Sequence, residues 1–277
     1  MPELPEVERA RRLLERTACD RRIVWVHSAR DPIVFDGVSA SRFTRALRGR
    51  TVLNARRRGK HLWLELDRRP WPCLHLGMTG QIREIGDTPL PLASSPSIED
   101  DRWPPRFTKL HLRLDDGAEL VVTNKRRLGR IRLRDDPTTE PPISGLGFDP
   151  LLDLPSGARF ADRLRRRSGS IKSVLLDQSF AAGVGNWIAD EVLYQAKIDP
   201  RREANRLTTF EVSILRAKLR LVVQTAVAAD ADKSRFPRSW LFHRRWGRNP
   251  DASIGGQRIK HVTIGGRTTA WVPTRQR

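Results

Sequence analysis

The sequence predicts a mixed α+β fold in two halves. Three observations carry this: short runs of alternating apolar and polar residues fill much of residues 23–134; apolar positions recur at helical spacing between about 156 and 229; and residues 135–150 (DDPTTEPPISGLGFDP) hold prolines, glycines and acids without any period. A chain of 277 residues, 38% hydrophobic, has the length and apolar content for two cored domains. We divide it into a β-rich domain at 1–134, a connection at 135–150, a helical domain at 151–238 and a small closing ribbon at 239–277.

In chain order, Pro5 suits the first turn of a helix, Val7, Ala10, Leu13 and Leu14 mark its apolar face, and Glu6 and Glu8 favour its positive end. Seven strands follow at IVWV, TVLNA, HLWLEL, CLHLG, KLHLRL, ELVV and RIRLR, interrupted by one helix over 39–47. The proline-bearing stretch 86–106 reads as a long mobile loop. Beyond the connection, helical periods run at about 156–166, 170–177, 186–196 and 208–229. Gly255-Gly256 and Gly265-Gly266 each separate β-prone runs, as two-residue hairpin turns do. The chain shows no internal repeat and no heptad run.

Lys+Arg of 52 against Asp+Glu of 32 gives a net charge of +20, which predicts attraction to a polyanion, nucleic acid first among them. The charge gathers at Arg56, Arg57, Arg58 and Lys60, at Lys125, Arg126, Arg127 and Arg130, at Arg163 and Arg165 to Arg167, and at Arg244, Arg245 and Arg248. Such clusters attract phosphate but carry no sequence information. No stretch approaches the roughly 18 apolar residues of a membrane span, and MPELPEVE has no basic and apolar leader, so we expect an intracellular protein with no membrane partner. Cys19 and Cys73 are the only cysteines, too few for a disulfide framework or a four-thiolate zinc site; no metal and no cofactor is expected, and a reducing compartment fits.

Two local features point to chemistry. In Ala181-Ala182-Gly183-Val184-Gly185-Asn186-Trp187, two glycines precede a helix; this stretch suits a phosphate at the positive helix end and equally a tightly packed helix–turn–helix corner. At the start, excision of Met1 leaves the secondary amine of Pro2 as the terminus. An α-amino group titrates near roughly 7.7–8.0, so a neutral, nucleophilic fraction exists at physiological pH. It can attack an aldehydic sugar carbon while Glu3 moves protons.

The ordered motifs MPELPEVE, RRGKHLWLEL, LHLGMTGQ, NKRRLGR, LLDQ…GVGNWIADEVL and GGRTTAWVP resemble those of the formamidopyrimidine-DNA glycosylase/endonuclease VIII family across essentially the whole chain. The resemblance implies an N-terminal β-sandwich with flanking helices, a helical domain with a helix–two-turn–helix (H2TH) motif, and a β-hairpin finger. It further implies a bifunctional DNA glycosylase and abasic-site lyase of base excision repair, which frees an oxidised purine and cuts the sugar by β,δ-elimination through a Schiff base on Pro2. Glu3 would be the proton donor, with Glu6 a further acid of the motif. Lys60 would hold phosphate beside the lesion, and Met78, Arg126 and Leu128 would fill the void left by an everted base, with Arg127 beside them on DNA. Many family members have an aromatic residue at position 128 and Asp at position 124, where this chain has Leu128 and Asn124. Lys172 and Asn186 would contact phosphate from the H2TH motif, and Arg267 would be inserted against the backbone by the finger.

Family fingers hold zinc on four cysteines, and none follows Cys73, so the chain resembles the zinc-less branch known from plants, fungi and animals, with Ile254, Ile259, Val262 and Trp271 packing in place of the metal. The implied partner is double-stranded DNA carrying oxidised bases or abasic sites, bound by a monomer in the cytoplasm of a bacterium or the nucleus of a eukaryote. The lesion-capping loop falls within residues 229–245 and is compact, which favours formamidopyrimidines and hydantoins over 8-oxoguanine. Two rival readings are a non-catalytic damaged-DNA-binding protein on the same scaffold and a hydrolytic glycosylase that leaves the strand intact.

Overall fold

A computed structural model describes residues 2–86, 102–247 and 249–277. The chain divides into two compact units, Met1–Gly145 and Leu146–Arg277.

The first unit opens with helix α1 (Leu4–Ala18), whose start the residues specify closely: Glu3 and Glu6 form a capping box, Pro5 occupies the first turn, and Leu4, Val7, Leu13, Leu14 and Ala18 are buried along one face. Burying one such leucine contributes about 1.5–3 kcal/mol. After β1 (Ile23–Ser28) comes α2 (Ala40–Leu47), capped by Ser39, whose hydroxyl accepts from the Arg42 N–H at 3.2 Å. The remaining strands are β2 (Val52–Arg58), β3 (His61–Leu66), β4 (Trp71–His75), β5 (Gln81–Glu84), β6 (Thr108–Leu114), β7 (Glu119–Thr123) and β8 (Arg130–Arg134).

They form two antiparallel four-stranded sheets, ordered β1-β6-β7-β5 and β2-β3-β4-β8, whose inward side chains join α1 and α2 in one core. The mixed class and the β-rich first half therefore stand as expected. Strand β5 is the element the alternation missed: Gln-Ile-Arg-Glu buries only Ile82, and its strand character comes from pairing with β7, Ile82 opposite Val122. Of the loop expected at 86–106, residues 87–101 lie outside the described residues.

The second unit holds α3 (Gly157–Arg165), α4 (Ile171–Leu176), α5 (Asn186–Ala196) and α6 (Thr209–Ala228), close to the four helical periods. Thr208 and Glu211 form the capping box of α6, and Phe148, Phe160 and Phe180 meet edge-on with centroids 5.2–5.8 Å apart. The chain closes with two small hairpins, β9 (Ser253–Ile254) with β10 (Gln257–Arg258) and β11 (Lys260–Ile264) with β12 (Arg267–Trp271). Their turns are the two Gly-Gly pairs, with φ of +56° and +74° at Gly255 and Gly256 and +57° and +71° at Gly265 and Gly266, a geometry that favours glycine at both places.

Packing of the ribbon departs in part from expectation. Its cluster is Tyr194, Leu241, Ile259, Ala270 and Val272, with Ile254 against it; Trp271 is buried under the Arg201 guanidinium, 4.4 Å above its ring, and Val262 lies outside the cluster, half-buried on the open hairpin. No helix among the described residues is long and apolar enough to cross a membrane.

Candidate functional site

In the first unit, Pro2 and Glu3 are buried at the foot of α1 and Glu6 is half-buried beside them. The Glu3 N–H donates to Glu6 Oε2 at 2.9 Å. Burial first, and the neighbouring Glu3 carboxylate second, push the Glu6 acid up to about 8, so it is largely protonated at neutral pH. The corner next to Pro2 thus pairs a second acid with Glu3 and keeps a proton there.

Lys60 lies in the turn between β2 and β3 and is buried. A chain of contacts ties that turn to α1: Arg57 Nε donates to Glu8 Oε2 at 2.9 Å, and its Nη1 donates to the Gly59 carbonyl at 3.1 Å. Glu8 also accepts from Arg11, and these guanidinium groups hold its carboxyl below the usual range against its own desolvation. Strands β3 and β4 place His61 opposite His75 with ring centroids 4.8 Å apart; burial holds both neutral, His61 down to about 3 and His75 to about 4. His75 Nδ1 accepts from the Gly77 N–H at 3.3 Å, one residue before Met78.

The void-filling candidates lie on two loops that share one amide. Asn124, buried, donates from Nδ2 to the Leu76 carbonyl at 3.1 Å and accepts from the Gly129 N–H at 3.3 Å, joining the loop of Met78 to that of Arg126 and Leu128. An Asn performs both roles, whereas a carboxylate at this position would turn an acceptor toward Leu76. Gly77, at φ +63°, packs directly on the backbone of Leu128 and Gly129; a Cβ there would lie 2.6 Å from the Gly129 nitrogen. Leu128 is 42% exposed, Arg126 is exposed and Met78 is half-buried.

Arg127, expected on DNA, is exposed and also pairs within the protein. Its guanidinium grips Asp31 through Nε at 3.0 Å and Nη2 at 2.9 Å, Lys109 Nζ joins at 2.8 Å, and these cations hold the Asp31 carboxyl far below its ordinary value. With φ +54°, Arg127 anchors the loop through Asp31 while its side chain stays about half exposed at the surface.

In the second unit, Lys172, expected to contact phosphate, is turned inward. It is fully buried, its ammonium bonded to the Asp190 carboxylate and 3.5 Å from the Thr268 carbonyl, because position 172 falls on the inner face of α4. Asn186 is half-buried and donates to the same carbonyl at 2.8 Å, while Arg267 is exposed beside the Gly265-Gly266 turn. The glycine loop is organised by Gln178, which accepts from the Gly183 N–H at 3.0 Å and donates to the Val184 and Leu176 carbonyls. Both readings of that loop, phosphate seat and packed corner, thus involve a corner already closed by a side chain.

Sequence reasoning missed Asp31, Arg57, Gln178, Asp190 and Arg245 as organisers. Arg57, Gln178 and Asp190 lay within quoted motifs, but apart from Gln178 the organisers act through partners 49 to 96 residues away, or 18 for the link of Asp190 to Lys172, which no motif spacing reveals.

A four-thiolate centre does not fit this chain: Cys19 and Cys73 both lie in the first unit, and among the described residues no group of three or more His, Cys, Asp or Glu is placed to hold a metal ion.

Three family models match: the formamidopyrimidine-DNA glycosylase N-terminal domain over residues 1–131, the formamidopyrimidine-DNA glycosylase H2TH domain over 146–238, and the formamidopyrimidine-DNA glycosylase-like C-terminal domain over 240–273. A formamidopyrimidine-DNA glycosylase of Arabidopsis thaliana is 43% identical over 277 residues, spanning all of this chain and 71% of that protein. One from Heliobacterium modesticaldum is 33% identical over 293 residues and the whole of both chains. The crystal structure of the Lactococcus lactis enzyme non-covalently bound to DNA containing an abasic site superposes with a TM-score of 0.81 at 25% identity over 99% of each chain. Its complex with DNA containing a formamidopyrimidine lesion gives a TM-score of 0.79 at 25% identity, over 99% of this chain and 100% of that one.

Proposed function

The chain belongs to the formamidopyrimidine-DNA glycosylase family, and on that premise we propose that it is a bifunctional glycosylase and abasic-site lyase acting on oxidised purines in double-stranded DNA. The observation that carries the reading is the buried corner where Pro2 adjoins the paired acids Glu3 and Glu6.

With Met1 removed, the neutral Pro2 amine attacks C1′ of the damaged nucleoside, the bond from C1′ to the base breaks, and the base leaves with its electron pair and the proton that the Pro2 nitrogen gives up. Glu3 protonates the deoxyribose ring oxygen as the ring opens to the iminium, and then takes the proton at C2′ that permits loss of the 3′ phosphate. A second elimination expels the 5′ phosphate and leaves a gap with phosphate ends. Lys60 and Arg267 hold backbone phosphates for these steps, Asn186 marks the H2TH contact, and Met78, Arg126 and Leu128 occupy the space of the everted base, whose unstacking costs a few kcal/mol. Lys172 serves the interface from within, through Asp190, and Arg127 holds its loop at the surface through Asp31.

The zinc-less finger belongs to this proposal, supported by the absence of cysteines after Cys73. So does lesion preference. Residues 229–245 are drawn into an aromatic cluster in which Trp187 lies 5.7 Å from Phe236, 6.4 Å from Trp240 and 5.1 Å from Phe242. A segment so committed leaves little chain to cap 8-oxoguanine, and formamidopyrimidines and hydantoins are the favoured substrates; equal single-turnover excision of 8-oxoguanine opposite cytosine refutes that preference.

Borohydride reduction on an abasic duplex tests the chemistry. Wild type is expected to give a covalent adduct and a phosphate-ended gap, Pro2→Gly to lose most of the adduct, and Glu3→Gln to stall base release. Binding without adduct or nick supports the non-catalytic reading, base release on an intact strand supports the hydrolytic one, and nicking without adduct rejects Pro2 as nucleophile.

A further inference from the structure

The β11–β12 hairpin carries Arg267 at the start of β12, beside its two-residue turn, and a ribbon of two short strands is marginal in water without something to pack against. Its small cluster of Tyr194, Leu241, Ile259, Ala270 and Val272 covers one end. The other attachment is polar and centred on Asp190 of α5, whose side chain is wholly buried.

Asp190 Oδ1 takes the ammonium of Lys172 from α4, itself wholly buried. Oδ2 accepts from Arg245 Nη2 at 2.6 Å, from Arg245 Nε at 3.2 Å and from the backbone N–H of Ala270 on β12 at 3.1 Å. One carboxylate therefore joins α4, α5, the segment after α6 and the hairpin. The surrounding contacts run to the same strands: Lys172 and Asn186 both donate to the Thr268 carbonyl, next to Arg267, and His261 Nε2 on β11 lies 3.3 Å from the Arg245 carbonyl. At the tip, a Cβ on Gly265 would meet Ser173 Oγ of α4 at 2.8 Å, so the turn lies directly on that helix.

A buried carboxylate is tolerated only when its acceptor sites are filled, and here two cations and an amide fill them. We propose that Asp190 is a metal-free clamp: a positioning residue that holds the β11–β12 hairpin on α4 and α5 and so presents Arg267 in a fixed place, the mechanical role that a chain with four thiolates would give to a metal. The clamp rests on the proposed reading that Arg267 grips a DNA phosphate.

Hydrogen exchange of the full chain, read by mass spectrometry together with abasic-duplex binding, decides it. Asp190→Asn keeps the side chain's size but removes its charge; exchange across residues 260–271 is expected to rise roughly tenfold or more, with α6 unchanged. Duplex affinity should fall with it. Hairpin exchange unchanged from wild type overturns the clamp. If Asp190→Asn also loosens α6, Arg245→Gln, which leaves the Lys172–Asp190 pair in place, supplies the same comparison: selective loosening of 260–271 supports the clamp and none overturns it. Dialysis of wild type against a chelator should leave hairpin exchange unaltered, and a rise there would overturn it by revealing a bound metal. Arg267→Ala separates the underlying reading: it should weaken duplex binding without changing hairpin exchange, and normal binding by Arg267→Ala removes the role of Arg267 while the exchange result still decides the clamp.

Discussion

At the scale of single residues, the feature most specific to the proposed chemistry is the acid beside the nucleophile. Glu6 carries a carboxyl raised to about 8 by burial and by Glu3. In the unfolded chain it titrates near 4.3. Between those values the folded protein retains a proton that the unfolded chain has released, so this group makes stability fall as pH rises from about 4.3 to about 8 and adds no further slope above that. Glu6→Gln keeps an oxygen for the Glu3 N–H and removes the titration. The melting temperature of wild type should therefore drop relative to Glu6→Gln across pH 5–8, with parallel curves beyond; parallel curves throughout mean that Glu6 is ionised in the folded protein. Asp31 works in the opposite sense. Its carboxyl is lowered by Arg127 and Lys109, so its contribution is present above the ordinary aspartate range and is lost as pH falls below it.

At the scale of elements, the two loops proposed to fill the void behave as one part, because Asn124 bonds both and Gly77 lies against the backbone of Leu128 and Gly129. Gly77→Ala would meet two penalties: a side chain at φ +63° and a Cβ overlapping the Leu128–Gly129 peptide. Together these cost about 2–4 kcal/mol. Urea unfolding should show that loss, and 2-aminopurine fluorescence opposite an abasic site should show weaker insertion; full insertion by Gly77→Ala would mean the loops act separately. This is also where the limit of sequence reasoning falls. The strands from 23 to 134 were legible because each alternates enough apolar residues to declare a face, and the Gly-Gly turns because only glycine enters both positions readily. Strand β5 was not, since four residues with one apolar side chain carry no period. Pro2, Glu3 and Lys60 were legible as motif positions, whereas the carboxylate partners of Arg127 and Lys172 were not, because a cation that pairs with a distant carboxylate reads the same in sequence as one that has none.

For the molecule as a whole, the charge of +20 sets how binding responds to salt, and the geometry sets which residues contribute. Each phosphate neutralised on duplex DNA adds about 0.9 to the negative slope of log affinity against log salt. Arg126 and Arg267 are exposed, so Arg126→Ala and Arg267→Ala should each weaken binding to an abasic-site analogue and flatten that slope by about one. Arg127 is exposed too but differs in that its guanidinium is engaged by Asp31, and Arg127→Ala should weaken binding by releasing the loop of Leu128 while leaving the slope as in wild type. Fluorescence anisotropy over a salt series separates the two. A flattening by one unit in Arg127→Ala would return that residue to the phosphate backbone, and with it the charge that the Asp31 contact withdraws from the DNA-facing surface.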